Sequence, residues 1–128
     1  MIDHEKMYKE CWSLDITLAQ LMLPKLLYFK NFVERHGYPS DFYNPETEVS
    51  LHEEWEEILD EIVWAVAYAA NDYEGYQYEG DYEVGKDGLF EVTDQALWDK
   101  YVAAKKKEGA RFDNGMRLFA KYFTALWD

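Results

Sequence analysis

Between Leu51 and Ala70 one helix carries two opposite demands. Leu51, Trp55, Ile58, Leu59, Ile62, Val66 and Ala69 recur at helical spacing as an apolar stripe, and Glu53, Glu56, Glu57, Asp60 and Glu61 lie behind it. Such a stripe must be buried against other elements. From Ile62 to Ala70 the segment is apolar nearly all round, which places its C-terminal half at the centre of a core. The rest of the chain has to be arranged around this helix, with the carboxylates facing outward.

The five carboxylates stand at i, i+3, i+4, i+7 and i+8, with no lysine or arginine on the same helix. Five like-charge neighbour pairs result, at a cost of about 1–2.5 kcal/mol in total. Ser50 followed by Glu53 has the form of a capping box, and the positive helix start offsets part of that cost. The crowding belongs to a wider polarisation. Residues 46–94 hold sixteen of the twenty-six acids and one base, Lys86, for a net −15, so the remaining seventy-nine residues sum to +2 against a total of −13. Charge of this density opposes compaction unless cations come from elsewhere.

Two sources of cations follow. The internal one is the last helical segment, where seven of thirteen basic residues fall between Lys100 and Lys121 and Lys100, Lys107, Arg111 and Lys121 share a side. The external one is a basic protein surface, met by the acidic face together with Tyr73, Tyr76, Tyr78 and Tyr82 of an adjoining loop, a nucleic-acid-like arrangement of charge and stacking rings.

Around the middle helix, 128 residues with 48% hydrophobic and 18% aromatic content suffice for one domain spanning residues 1–128. The expected class is all-α, a bundle of three to four helices. Leu14, Leu18, Leu21, Met22, Phe29, Phe32 and Val33 predict a helix over 13–36, with a kink or break at Pro24. Gly37, Pro39, Asn44 and Pro45 predict a connector. Residues 71–92 mix tyrosines, acids and four glycines and are expected as an irregular loop or a short hairpin turning at Gly85–Gly88. Thr93 or Asp94 can cap a last helix running to Trp127, on the phase of Leu97, Tyr101, Ala104, Glu108, Phe112, Gly115, Phe119, Tyr122 and Leu126, with Gly109 and Asn114-Gly115 as weak points.

Function is less legible. The negative charge disfavours direct binding to nucleic acid or anionic membrane. Cys11 is the single cysteine, which suits a reducing cytoplasm, and it reads as a small core residue. His4, His36 and His52 stand isolated, and no phosphate-cradling glycine loop follows a strand. No cofactor, metal ligand set or catalytic residue is expected. An alternative anion or nucleotide site is offered by Lys105, Lys106, Lys107 and Arg111 near aromatic rings, which would suit an oligomeric sponge for a nucleotide signal. A further alternative is Mg²⁺ chemistry at Glu53-x-x-Glu56 and Glu57-x-x-Asp60.

Residues 57–64, Glu-Ile-Leu-Asp-Glu-Ile-Val-Trp, resemble the E-x-x-D helix of all-α nucleotide pyrophosphohydrolases of the MazG and dimeric dUTPase group. The resemblance implies a second acidic pair on an earlier helix, where this chain has Glu34 with Gly37 three residues on. Residues 55–72 and 114–128, with Trp12-Ser-Leu-Asp15 and Pro24, resemble a family of small uncharacterised proteins of tailed bacteriophages, the Leu118-Phe-Ala-Lys-Tyr-Phe123 block most distinctively. That resemblance implies action in the host bacterial cytoplasm and carries no activity or site residues. With it, the expected role is a non-catalytic accessory protein that binds and inhibits a host factor in counter-defence or host takeover; a structural role in the virion is the other possibility.

Overall fold

A computed structural model describes residues 1–36 and 48–126, with side chains over 1–31 and 53–126. Its elements are α1 (His4–Glu10), a 3₁₀ turn (Cys11–Ser13), α2 (Leu14–His36), α3 (Glu48–Ala70), β1 (Tyr82–Val84), β2 (Phe90–Val92), α4 (Gln95–Lys121) and a final 3₁₀ turn (Phe123–Ala125). The all-α bundle is what the periodicity demanded, with three long helices and a two-stranded antiparallel insert.

α3 is the shared wall. α2 packs on one side of it and α4 on the other. Its stripe supplies the core: Trp55, Leu59, Ile62 and Val66 are each at most 1% exposed. Met22 and Leu23 of α2 and Phe112, Leu118 and Phe119 of α4 close over Ile62 and Val66. Near the start of α3, Trp55 is covered by Phe29, Tyr122 and Leu126, with the Tyr122 ring edge-on at 5.7 Å. Leu51 has the right phase for the stripe, but its side chain lies outside the described residues.

Four expectations need correction. α2 runs unbroken through Pro24. The ring removes one donor, and Pro24 stands at an exposed position of the helix, where solvent can take up a freed carbonyl. Ser50 lies inside α3, two residues after its first described residue, so it does not begin that helix. The last helix ends at Lys121 and not at Trp127: Tyr122 adopts φ −106° and ψ 15°, and the chain tightens into a 3₁₀ turn that tucks Ala125 into the core. Cys11 is exposed and not a core residue. The short α1, capped by Asp3 through the Lys6 amide, has too few residues to declare itself by periodicity. The 37–47 connector lies outside the described residues.

The two glycines of α4 are opposite cases. A Cβ on Gly115 would stand 2.5 Å from the Ala65 Cβ and 2.6 Å from the Glu61 carbonyl oxygen, whereas one on Gly109 would meet nothing within 4 Å. Gly115 is therefore the point where α4 rests on the α3 backbone, not a weak point. Gly115→Ala should destabilise by about 1–3 kcal/mol through overpacking, while Gly109→Ala should stabilise by about 0.5–1 kcal/mol through helix propensity. Urea unfolding of the two variants checks this; equal signs would contradict the close approach.

Candidate functional site

A helix turns about 100° per residue, so an inward stripe forces Glu53, Glu57 and Asp60 onto the far side of α3, with Glu56 and Glu61 at its edges. The edges are engaged. Arg111 of α4 donates from Nε and Nη2 to both oxygens of Glu61, each at 3.0 Å. Its guanidinium lies 4.2 Å above the Trp64 ring, which stacks on Tyr68 at 5.0 Å and 12°. From the other flank Lys30 of α2 pairs with Asp60, and Glu56 is half-buried with a partner of its own. Glu53 and Glu57 are exposed and make no ion pair among the described residues.

The face is thus neutralised in part, from both neighbours. Of the four α4 bases expected to serve it, only Arg111 does. Lys100 reaches Glu79 at 3.7 Å, and Lys121 lies over the Tyr122 ring at 5.1 Å. Lys107 has no ion pair among the described residues. Exposed pairs of this kind contribute roughly 0–1 kcal/mol each, so they orient the helices more than they stabilise them.

Beyond α3 the chain turns sharply. Asp72 and Tyr73 take left-handed angles (φ 57° and 58°), followed by Gly75 at 45°. Two successive non-glycine residues in that region cost energy, and the side chains around them show what offsets it. Tyr73 is half-buried between Tyr68 and Phe112, and its hydroxyl donates to Asp15 of α2. That bond lowers the Asp15 carboxyl and, with burial, pushes the Tyr73 phenol up to about 12.

Glu108 organises the next residues. It accepts from the Tyr76 amide at 2.6 Å, the Tyr68 hydroxyl at 3.0 Å and the Lys105 ammonium at 3.3 Å. Burial works against its charge, yet these three donors outweigh burial and hold the carboxyl below its usual value. Lys105 also donates to the carbonyls of Tyr73 and Glu74, at 3.0 and 2.6 Å.

The remaining tyrosines climb along α4 as a ladder of rings. Tyr76 meets Tyr101 at 6.3 Å, Tyr78 meets Tyr101 and Trp98 at 5.9 and 5.6 Å, and Tyr82 meets Tyr78 at 4.9 Å and Phe90 at 6.1 Å. At its top stands the hairpin, with pairs Tyr82↔Val92, Glu83↔Glu91 and Val84↔Phe90. The turn closes through the Gly85 amide to the Leu89 carbonyl at 2.8 Å, with Gly88 at φ 80°. Alternation divides the strands into two faces. One carries Val84 and Phe90, 67% and 76% exposed. The other carries Glu83 directly opposite Glu91, a like-charge pair that destabilises a sheet. Neither glutamate has an ion pair among the described residues.

Sequence reasoning joined the acidic helix face and the tyrosines into one surface. The structure separates them. Glu53 lies eighteen residues before Asn71, about 27 Å along a helix rising ~1.5 Å per residue, and the ladder extends along α4 beyond that end. Tyr73 and Tyr76 are half-buried braces, while Tyr82 belongs to the exposed hairpin. The proposed anion cluster is also dispersed: Lys105 holds the post-α3 turn and Arg111 holds Glu61, leaving only Lys106 and Lys107 exposed and uncommitted among the described residues. No three His, Cys, Asp or Glu side chains among the described residues converge as a metal site, and the Glu34 side chain lies outside them. No described helix is long and apolar enough to cross a membrane.

Glu108 was missed as a functional anchor, although its signal was present: a carboxylate on the inward phase of an otherwise apolar stripe. The turn signal at Gly85–Gly88 does not by itself reveal that Val84, Leu89 and Phe90 are exposed. No family model, curated protein or solved structure matches the chain.

A pH measurement tests the Glu108 anchor. Its carboxyl is lowered in the folded protein from an ordinary value of 4.5, so its contribution is complete above about that pH and is lost as pH falls through the folded value. Glu108→Gln should cost about 1.5–3 kcal/mol at pH 7. The gap between variant and wild type should narrow between pH 5 and pH 3, as read by urea midpoints; a gap that stays constant would show that charge is not what holds the turn.

Proposed function

We propose that this is a non-catalytic binding protein that attaches to a basic surface of another protein and blocks it, with the β1–β2 hairpin as its leading contact. The observation that carries this reading is the Glu83↔Glu91 pair. Two carboxylates held opposite each other destabilise the free protein, and Val84 and Phe90 on the other face of the same strands, with Leu89 at the turn, expose apolar surface. A cleft that grips both faces of the hairpin, with lysines or arginines on one wall and an apolar other wall, would relieve both costs at once. Asp81 and Asp87 extend the acidic rim, and Lys86 is the only base on the hairpin. Steering by the −15 block would speed encounter with such a surface.

Glu53 and Glu57 form a second, separate acidic patch that serves the same attraction at longer range. The tailed-phage resemblance makes a host bacterial protein the target in this reading and the host cytoplasm its place of action, with counter-defence or takeover as the purpose.

Glu83→Lys is the decisive variant because the two roles of this residue predict opposite signs. It turns a like-charge cross-strand pair into an opposite one, which should stabilise the fold by about 0.2–1 kcal/mol. It should also cut recovery of basic proteins by tagged protein from host lysate at least tenfold, and the wild-type capture should weaken as salt rises. Unchanged recovery by a folded Glu83→Lys protein would end the reading.

A further inference from the structure

The chain from His4 to His36 is nearly one rod, since Glu10, Cys11 and Leu14 keep right-handed helical angles across the 3₁₀ turn (φ −64°, −79° and −61°). Its first part overhangs the bundle. Every residue from Met1 to Asp15 is exposed, Tyr8 and Trp12 by 64% and 71%. Among the described elements, α1 packs substantially only on the 3₁₀ turn that follows it. A seven-residue helix has little stability of its own in water.

The exposed surface continues along α2. Leu14, Leu18, Leu21, Lys25 and Tyr28 repeat at alternating intervals of four and three, the spacing of a coiled-coil seam. The three leucines are 45%, 47% and 60% exposed and Tyr28 is 74% exposed. Beside them a cavity of about 480 Å³ opens between α2 and the C-terminal turn, floored by Met22, Leu26, Phe29, Phe119 and Phe123, with Lys25 and Tyr28 at its mouth.

We propose that this face is the seam of an antiparallel two-fold dimer, occupied by a second copy of the chain, with each overhang lying across the other copy's groove. Area supports that occupant. The seam side chains together with Met7 expose roughly 500 Å² of apolar surface, and the groove floor beside them adds to it, against the about 800 Å² per partner of a standard interface.

Charge supports it as well. Two molecules of net −13 repel wherever their acidic blocks meet, and those blocks lie on the outer side of α3 and on the hairpin. Between residues 11 and 31 the charged side chains are Asp15, Lys25 and Lys30, and Lys30 is turned to Asp60, so this face carries one charge of each sign and allows close approach.

Lys25 then selects the direction. In a parallel pair it would stand against the partner's Lys25. In the antiparallel register that seats Leu18 on the partner's Leu21, its stem lies on the partner's Leu14 and its ammonium beside the partner's Asp15. The same register sets Cys11 level with the partner's Tyr28, at the groove mouth. One self-complementary patch on each copy is what a two-fold interface requires.

Sedimentation equilibrium of the full chain at micromolar concentration tests the occupant. Wild type should give about twice the 15.2 kDa chain mass. The double variant L18E/L21E should give a monomer with unchanged helical circular dichroism, because both side chains are exposed. A monomeric wild type, or a dimer that persists in L18E/L21E, overturns the proposal. Direction is read separately by spin labels on K9C/C11S, since position 9 points away from the seam. The antiparallel arrangement predicts a separation of about 35 Å and the parallel one about 20 Å, and the shorter distance overturns the register.

Discussion

The close approach of α4 to α3 at Gly115 sets the geometry of this molecule. Because the Ala65 Cβ and the Glu61 carbonyl occupy the space where a Cβ would stand, α4 lies against the α3 backbone itself and its neighbouring side chains are carried inward. Phe112 and Phe119, one turn to either side, thereby reach the α3 stripe, and Arg111 arrives level with Glu61. The same contact fixes Glu108 opposite Tyr68, and through Glu108 it fixes where the chain goes after α3. The Arg111–Glu61 pair and the half-buried Glu108 anchor both depend on this one missing side chain.

α3 answers its two demands asymmetrically. Its apolar side is closed by both neighbours, which buries Trp55, Leu59, Ile62 and Val66 completely. Among the described residues its acidic side is relieved in part, by Lys30 of α2 at Asp60 and Arg111 of α4 at Glu61, because a flanking helix can bring a cation around to some of the far-face carboxylates and not to all. Glu53 and Glu57 stay solvated for that reason. The cost of like-charge crowding, about 1–2.5 kcal/mol before these pairs, is small beside the burial of four large side chains at ~1.5–3 kcal/mol each. Packing wins, and the charge is tolerated.

What could be read beforehand followed from periodicity. The three long helices, the inward residues of α3 and the Asp94 cap, whose side chain accepts from the Leu97 amide at 3.2 Å, are local or strongly periodic features. The hairpin at Gly85–Gly88 was legible through its turn residues, though only as one of two outcomes. The misplaced features depend on tertiary context. Gly115 scores as a weak helix former until its neighbour is known, Lys105 looks like a free base until the Tyr73 and Glu74 carbonyls are found beside it, and Tyr73 looks like loop decoration until its hydroxyl meets Asp15, fifty-eight residues away. Charge counting along the chain also could not reveal that the acidic helix face and the hairpin acids stand at opposite ends.

That separation gives the polarisation a physical logic. With −15 confined to residues 46–94 and +2 elsewhere, an even spread of acids would have made every approach to a second copy repulsive and every surface weakly attractive to cations. Concentrating the acids on the outer side of α3 and on the hairpin leaves the outer side of α2 with little net charge and an apolar seam. The two kinds of surface then have different rules. Any attraction the first exerts on a basic partner would weaken with salt, because exposed charges are screened beyond about 10 Å at 0.1 M. The second could act only at contact, through apolar area that salt does not weaken. Raised salt should therefore divide the two behaviours in one sample, releasing basic proteins while self-association persists, and that division would have no origin in a chain whose charge was evenly mixed.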